Sequence, residues 1–117
     1  MDKQEVFNKV AKHLLKQNEK SLDRTGGTCL YRGPDGKSCA VGCLIADEHY
    51  PPGIEGRGAL ETAVLEALGR SGVVVSDGEA DLLTDLQDMH DSTEPYEWRQ
   101  LLSEIANRYS LTMPEVP

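Results

Sequence analysis

Val6, Phe7, Val10, Ala11, Leu14 and Leu15 recur at the i, i+3, i+4 spacing of one helix face, with Lys3, Lys9, Lys12 and Lys16 largely outside the stripe. That periodicity predicts an amphipathic helix over Asp2–Asn18, which Gly26-Gly27 separates from whatever follows. It is the first of four such segments, and the repetition constrains the fold more than any other feature. Leu60, Val64, Leu65 and Leu68 predict a helix over Ala59–Arg70, closed by Gly72. Leu82, Leu83, Leu86 and Met89 predict another, capped by Ser76 or Asp77 and running to Asp91. Trp98, Leu101, Leu102, Ile105 and Tyr109 predict the last, with Ser92 or Thr93 as cap and Pro95 in its first turn. Between them, Val73–Val75 reads as a brief strand or a buried connection, His49–Gly58 as a loop, and Thr112–Pro117 as a loose tail.

The segment Thr28–Tyr50, TCLYRGPDGKSCAVGCLIADEHY, departs from helical period and holds all three cysteines. Pro34 suits the second position of a type I turn, Asp35 the third, and Gly36 a left-handed residue after it. A small bulged β-hairpin is therefore expected, with Cys29–Arg32 facing Lys37–Ala40 and Tyr31 opposite Cys39. Ser38 would then cap a short helix over Ala40–Ala46. The expected fold is mainly α with a minor β part: four longer helices, one short helix and one small hairpin. All of it forms one domain over residues 1–117, with hairpin and short helix in 28–47. A chain of 117 residues can bury one core without covalent staples.

Three roles compete for the cysteines. Cys29, Cys39, Cys43 and His49 are an alternative zinc set, but their C-x9-C-x3-C-x5-H spacing is unlike the paired short spacings of zinc modules. Cys39 in the first turn of a helix, near Lys37 or Arg32, would have a depressed thiol pKa and could be reactive, although neither His13 nor His90 is placed as its base. On the hairpin register, Cys29, Tyr31, Cys39 and Val41 share one face, while Leu30, Arg32 and Ser38 share the other. Free cysteine packs as a small hydrophobe, so the packing role outweighs the other two, and no cofactor is expected. The odd cysteine count, together with a charged start (MDKQEVFNKV) unlike a secretion leader, points to free thiols in a reducing cytoplasm. No apolar run is long enough to span a membrane.

Charge is distributed unevenly. Residues 1–37 carry +3, residues 38–76 carry −3, residues 77–97 carry −8 and residues 98–117 balance, so the net −8 equals the charge of one segment. Asp77, Glu79, Asp81, Asp85, Asp88, Asp91, Glu94 and Glu97 supply that segment, with no Lys or Arg among them. Asp81, Asp85 and Asp88 lie at i, i+4 and i+7 and share a helix face, beside the inward Leu82, Leu86 and Met89. A solvated helix face is the ordinary meaning of such a run. The functional meaning is an acidic surface that repels bare nucleic acid and attracts basic partners. Calcium binding is disfavoured, because DGEADLL lacks the alternating ligands of an EF-hand loop. Arg32, Tyr50 and Arg57 are candidate contact anchors, although pairing of Arg32 with Asp35 or a neighbouring acid is the favoured role for that residue.

The block GGTCLYRGPDGKSCAVGCLIADEHY, the opening helix and LLTDLQDMHD together resemble a family of small proteins encoded by bacteriophages and prophages. The resemblance spans nearly the whole chain and implies a phage setting and the host cytoplasm, with no catalytic residues to transfer. By analogy of context, it implies a non-enzymatic inhibitor or modulator of a host protein complex, of the anti-defence or anti-CRISPR kind. The expected partner is a host protein with a basic surface, nucleic-acid-binding complexes included, met through the acidic segment and Arg32. Direct nucleic-acid or membrane binding is not expected. The alternatives are a zinc- or thiol-dependent protein using Cys29, Cys39 and Cys43, or a sponge for signalling nucleotides with a basic pocket around Arg32, Lys37 and Arg57.

Overall fold

The computed structural model describes residues 2–58 and 60–115. Four helices carry the architecture: α1 (Lys3–Gln17), α2 (Thr62–Arg70), α3 (Asp77–Ser92) and α4 (Trp98–Arg108). α1 begins in a reciprocal cap. The Asp2 carboxylate accepts the Glu5 N–H at 2.8 Å, while the Glu5 side chain returns to the Asp2 N–H. It ends at Asn18, left-handed at φ 51°, whose N–H reaches the Leu14 carbonyl. Of the stripe expected from its spacing, Val6, Phe7, Val10, Ala11 and Leu14 are fully buried and Leu15 is partly buried at its edge. α1 packs against α3, against α4 and against the turn Gly42–Leu44, so it forms the centre of the molecule.

α3 buries Leu82, Leu83, Leu86, Met89 and also His90. A short 3-10 turn, Pro95–Glu97, leads into α4 and is organised by Glu94 and Glu97, each side chain bonding the other's backbone N–H. That reciprocal pair takes the place expected for Ser92 or Thr93, because Ser92 still belongs to α3. Trp98, Leu102, Ile105 and Ala106 face inward from α4. α2 starts later than expected, with Glu61 at its N-cap. Leu60 lies before the first turn and is 46 % exposed rather than inward. Of the valines at 73–75, Val73 is buried, Val74 is 75 % exposed, and they form no strand.

The expected β-hairpin is not formed. Among the described residues there are no strands, only two isolated antiparallel bridges, Arg32 with Ser38 and Leu22 with Cys29. The Arg32–Ser38 bridge is flanked by Gly33 N–H to Lys37 O (2.9 Å) and Cys39 N–H to Tyr31 O (3.3 Å). A ladder would continue by giving the Tyr31 N–H to the Cys39 carbonyl. Instead the Glu55 carboxylate takes both the Tyr31 and the Arg32 N–H groups, at 2.8 and 3.0 Å, and the Cys39 carbonyl accepts Cys43 N–H. A side chain 24 residues away thus consumes the Tyr31 donor that the ladder needs, and takes the Arg32 N–H besides. The turn also differs, since Asp35 as well as Gly36 is left-handed (φ 62° and 75°).

The short helix expected over Ala40–Ala46 is replaced by one 3-10 turn at Gly42–Leu44. Ser38 caps nothing: its hydroxyl meets His13 Nε2 at 3.1 Å and its N–H donates to Gln17. Two more 3-10 turns follow, Asp47–His49 ending where the loop was expected to begin and Pro52–Ile54 within that loop, and Ile54 seals into the core. At the other end, Thr112 exchanges two hydrogen bonds with Gln4 (2.8 and 2.9 Å), tying the start of the expected tail to α1. The last two residues of that tail lie outside the described residues.

Candidate partner-binding surface

α3 carries most of the acidic segment, and the fold divides its carboxylates into two groups. Asp85 is engaged from α4: Arg108 Nη1 lies 2.9 Å and the Tyr109 hydroxyl 2.6 Å from its Oδ2. Burial and the Asp85 carboxylate push the Tyr109 phenol up to about 12. Glu94 pairs with Lys20 at 3.6 Å and shares its reciprocal cap with Glu97. Asp91 is held by His90 and Gln87. Asp77, Glu79, Asp81 and Asp88 have no ion pair among the described residues, and all but the half-buried Glu79 are exposed. The Asp81–Asp85–Asp88 face therefore exists, but a cation from α4 sits on its middle member.

Two clefts border this helix, each of about 490 Å3. One lies between α3 and α4 and holds Asp85, Arg108 and Met89. The other lies between α3 and the cysteine segment, with Cys29, Tyr31, Leu60, Thr84, Asp88 and Asp91 among its walls. Asp88 stands on the ridge common to both.

The proposed contact anchors are mostly committed elsewhere. Arg32 bonds Asp47 and the Ile45 carbonyl, and its guanidinium lies over the Tyr50 ring, 5.2 Å from the centroid. Tyr50 in turn donates to Glu55. Arg57 donates to the Gly53 carbonyl at 3.1 Å and lies 3.8 Å from Glu61. Lys37 pairs with Glu19 at 2.9 Å. Arg32, Lys37 and Arg57 thus answer three different carboxylates, and neither of the two clefts is lined by two of them.

The cysteines are free and their thiols are pushed away from reactivity. Burial raises Cys39 strongly, against a hydrogen bond from the Gly42 N–H. Burial also raises Cys43 to about 12, with Lys9 and Arg32 opposing, and Cys29 to about 11, where the Asp91 charge adds to the effect. This is the reverse of the depressed pKa expected at Cys39: burial disfavours the thiolate, and the helix expected to lower it is not formed. Cys39, Cys43 and His49 do not join Cys29 in a ligand cluster. The one triad of His, Cys and acidic ligand atoms within 4.8 Å, among the described residues, is Cys29, His90 and Asp91.

That triad fits a hydrogen-bond network better than a metal. His90 is fully buried and stacks on Trp98 with ring centroids 5.6 Å apart. Its Nε2 faces the Ser21 N–H at 3.1 Å, so it accepts, and the proton of the neutral ring sits on Nδ1, 2.8 Å from Asp91. The nitrogen nearest the other ligands therefore offers a proton and not a lone pair. Asp91 lies between His90 and Cys29, so the order is also wrong for a thiol activated by histidine. His90, Gln87 and Glu55 organise hydrogen bonds between distant segments in a way the sequence reading missed. For His90 a signal was present: it follows Leu83 and Leu86 at i+7 and i+4 on the inward face. Compared with protein-family models, curated proteins and solved structures, the chain shows no significant match.

Proposed function

We propose that the protein is a non-enzymatic interaction protein that engages a basic surface of another protein through the exposed carboxylates of α3. In the phage setting implied by the cysteine-segment resemblance, that partner is a host protein whose activity is inhibited or modulated. The observation carrying this reading is that Asp77, Glu79, Asp81 and Asp88 form no ion pair among the described residues, although four other acids of the segment find internal partners. Unpaired surface charge of one sign raises encounter rates with an oppositely charged partner and is screened by salt.

The raised thiols and the acceptor Nε2 of His90 favour this reading over a thiol- or metal-dependent one. The test is affinity capture from host lysate, with the captured protein identified and its binding then measured with purified components. The combined Asp77→Lys, Glu79→Lys, Asp81→Lys variant should lose at least about tenfold in affinity, mostly in association rate, with unchanged circular dichroism. Equal affinity across wild type and variant overturns the acidic-face reading.

A further inference from the structure

The cleft between α3 and the cysteine segment contains a carboxylate whose position is set before anything binds. Asp91 Oδ1 receives both the His90 Nδ1–H and the Gln87 Nε2–H, each at 2.8 Å. Gln87 is itself fixed, accepting the Val41 N–H at 3.0 Å, and His90 is clamped between the Ser21 N–H and Trp98. Burial would push Asp91 up, but the hydrogen bonds from His90 and Gln87 outweigh it and hold the group below the usual carboxylate range. A carboxylate has about four acceptor sites, and these two N–H groups with the weak Cys29 thiol leave at least one open.

Asp88 lines the same cleft one turn earlier, exposed and with no hydrogen bond or ion pair among the described residues. Residues three apart are neighbours on a helix surface, about 5–6 Å between Cβ atoms. Thr84 completes the row; its hydroxyl already donates to the Ala80 carbonyl at 2.9 Å, so only lone pairs remain for a ligand. The α3 wall thus offers mainly acceptors, beside the Gln87 amide, which gives one N–H to Asp91. The facing walls include the Tyr31 ring and the half-exposed Leu60, which suit an aliphatic stem. Arg57 contributes the one cation, and its guanidinium is turned to the Gly53 carbonyl and Glu61. The volume of about 490 Å3 lies within the range of about 300–1,000 Å3 found for ligand pockets.

We infer that this cleft receives a single arginine side chain of the protein partner, its guanidinium spanning Asp88 and Asp91 and its stem against Leu60 and Tyr31. The inference rests on the reading of α3 as a partner-binding face and names the side chain that face selects. Arginine is preferred over lysine because its planar fork offers five donors to two carboxylates, whereas an ammonium is a compact point charge.

The test is a titration of the 15N-labelled full chain with three blocked peptides, Ala-Arg-Ala, Ala-Lys-Ala and the citrulline analogue, which keeps the shape of arginine without its charge. The arginine peptide should shift the amides of Cys29–Tyr31, Gly58, Leu60 and Thr84–Asp91, and the citrulline peptide should not. Asp88→Asn and Asp91→Asn should each weaken the arginine peptide about tenfold or more. Because Asp91→Asn also touches the His90 network, Leu60→Arg provides a second route: it places a guanidinium in the cleft from an exposed position and should abolish the response. An equal response to citrulline, or binding unaffected by both Asp88→Asn and Leu60→Arg, overturns the cleft. Equal response to lysine overturns the choice of arginine. Shifts confined to Asp77–Asp81 overturn the cleft while sparing the broader acidic-face reading, whereas silence of all α3 amides to both cationic peptides overturns the two together.

Discussion

Gly42 carries no side chain, and the Tyr31 carbonyl occupies the space where one would be. A Cβ built there would stand 2.0 Å from Tyr31 O and 2.8 Å from Tyr31 C, both backbone atoms that cannot rotate away. The Gly42 N–H meanwhile meets the Cys39 sulfur at 3.3 Å, so this one residue joins the two halves of the cysteine segment. Gly42→Ala should destabilise the protein by about 2–3 kcal/mol, measured by urea unfolding, because the clash is with backbone and must be relieved by moving the turn. A change below about 0.5 kcal/mol would show that the approach is not so close. The demand for glycine here was not legible in the sequence, where Gly42 looked like an ordinary residue of a short helix. Cys39 is buried with Tyr31 and Val41, as a packed free cysteine should be, but alternation does not explain it: Ser38 and Ala40 are buried as well, and Cys29 only partly.

At the scale of elements, the four helices were legible wherever apolar period and cap chemistry agreed. α1 is the plainest case: Asp2 and Glu5 supply the reciprocal cap and the stripe runs to Leu14. Asp2→Ala removes the acceptor for the Glu5 N–H and should lower stability by about 1 kcal/mol, read as a fall in the denaturation midpoint at constant m-value. An unchanged midpoint would mean that the helix terminus is held by the Gln4–Thr112 hydrogen bonds instead. The hairpin and short helix were read from equally good local signals, and both failed. Turn chemistry did bring Arg32 opposite Ser38. It could not keep the Tyr31 and Arg32 amides from Glu55, whose competing carboxylate arrives from outside the segment. The same holds for Leu60, which fits the apolar spacing of α2 yet lies just before its cap.

At the scale of the whole molecule, the Ser21–His90–Asp91 chain connects the segment after α1 to the end of α3 across 69 residues of sequence. Its pH dependence has a definite sign. Asp91 is held below its ordinary value in the folded protein, so its contribution to stability is present above about pH 4 and is lost as pH falls through the lowered pKa. Asp91→Asn should therefore show a shallower loss of stability than wild type between about pH 5 and pH 2 in acid denaturation series. Parallel curves for the two proteins would overturn this assignment. The neutral difference between them reports the network itself, since asparagine keeps one acceptor for His90 or Gln87 but loses the charge.

By itself, the sequence determined the helical periods, the apolar stripes, the α1 cap and the concentration of negative charge in residues 77–97, because each depends on residues within one or two turns of one another. No helix among the described residues is long and apolar enough to cross a membrane, as the hydropathy pattern already required. Tertiary structure alone decided which carboxylates keep their charge facing solvent, because the cations that answer Asp85 and Glu94 come from Arg108 and Lys20. It also decided that Cys29 meets His90 and Asp91 rather than Cys43 and His49. Hydrogen-bond donors and charges choose partners by distance in space, and that distance is set only when α1 draws the other elements around it.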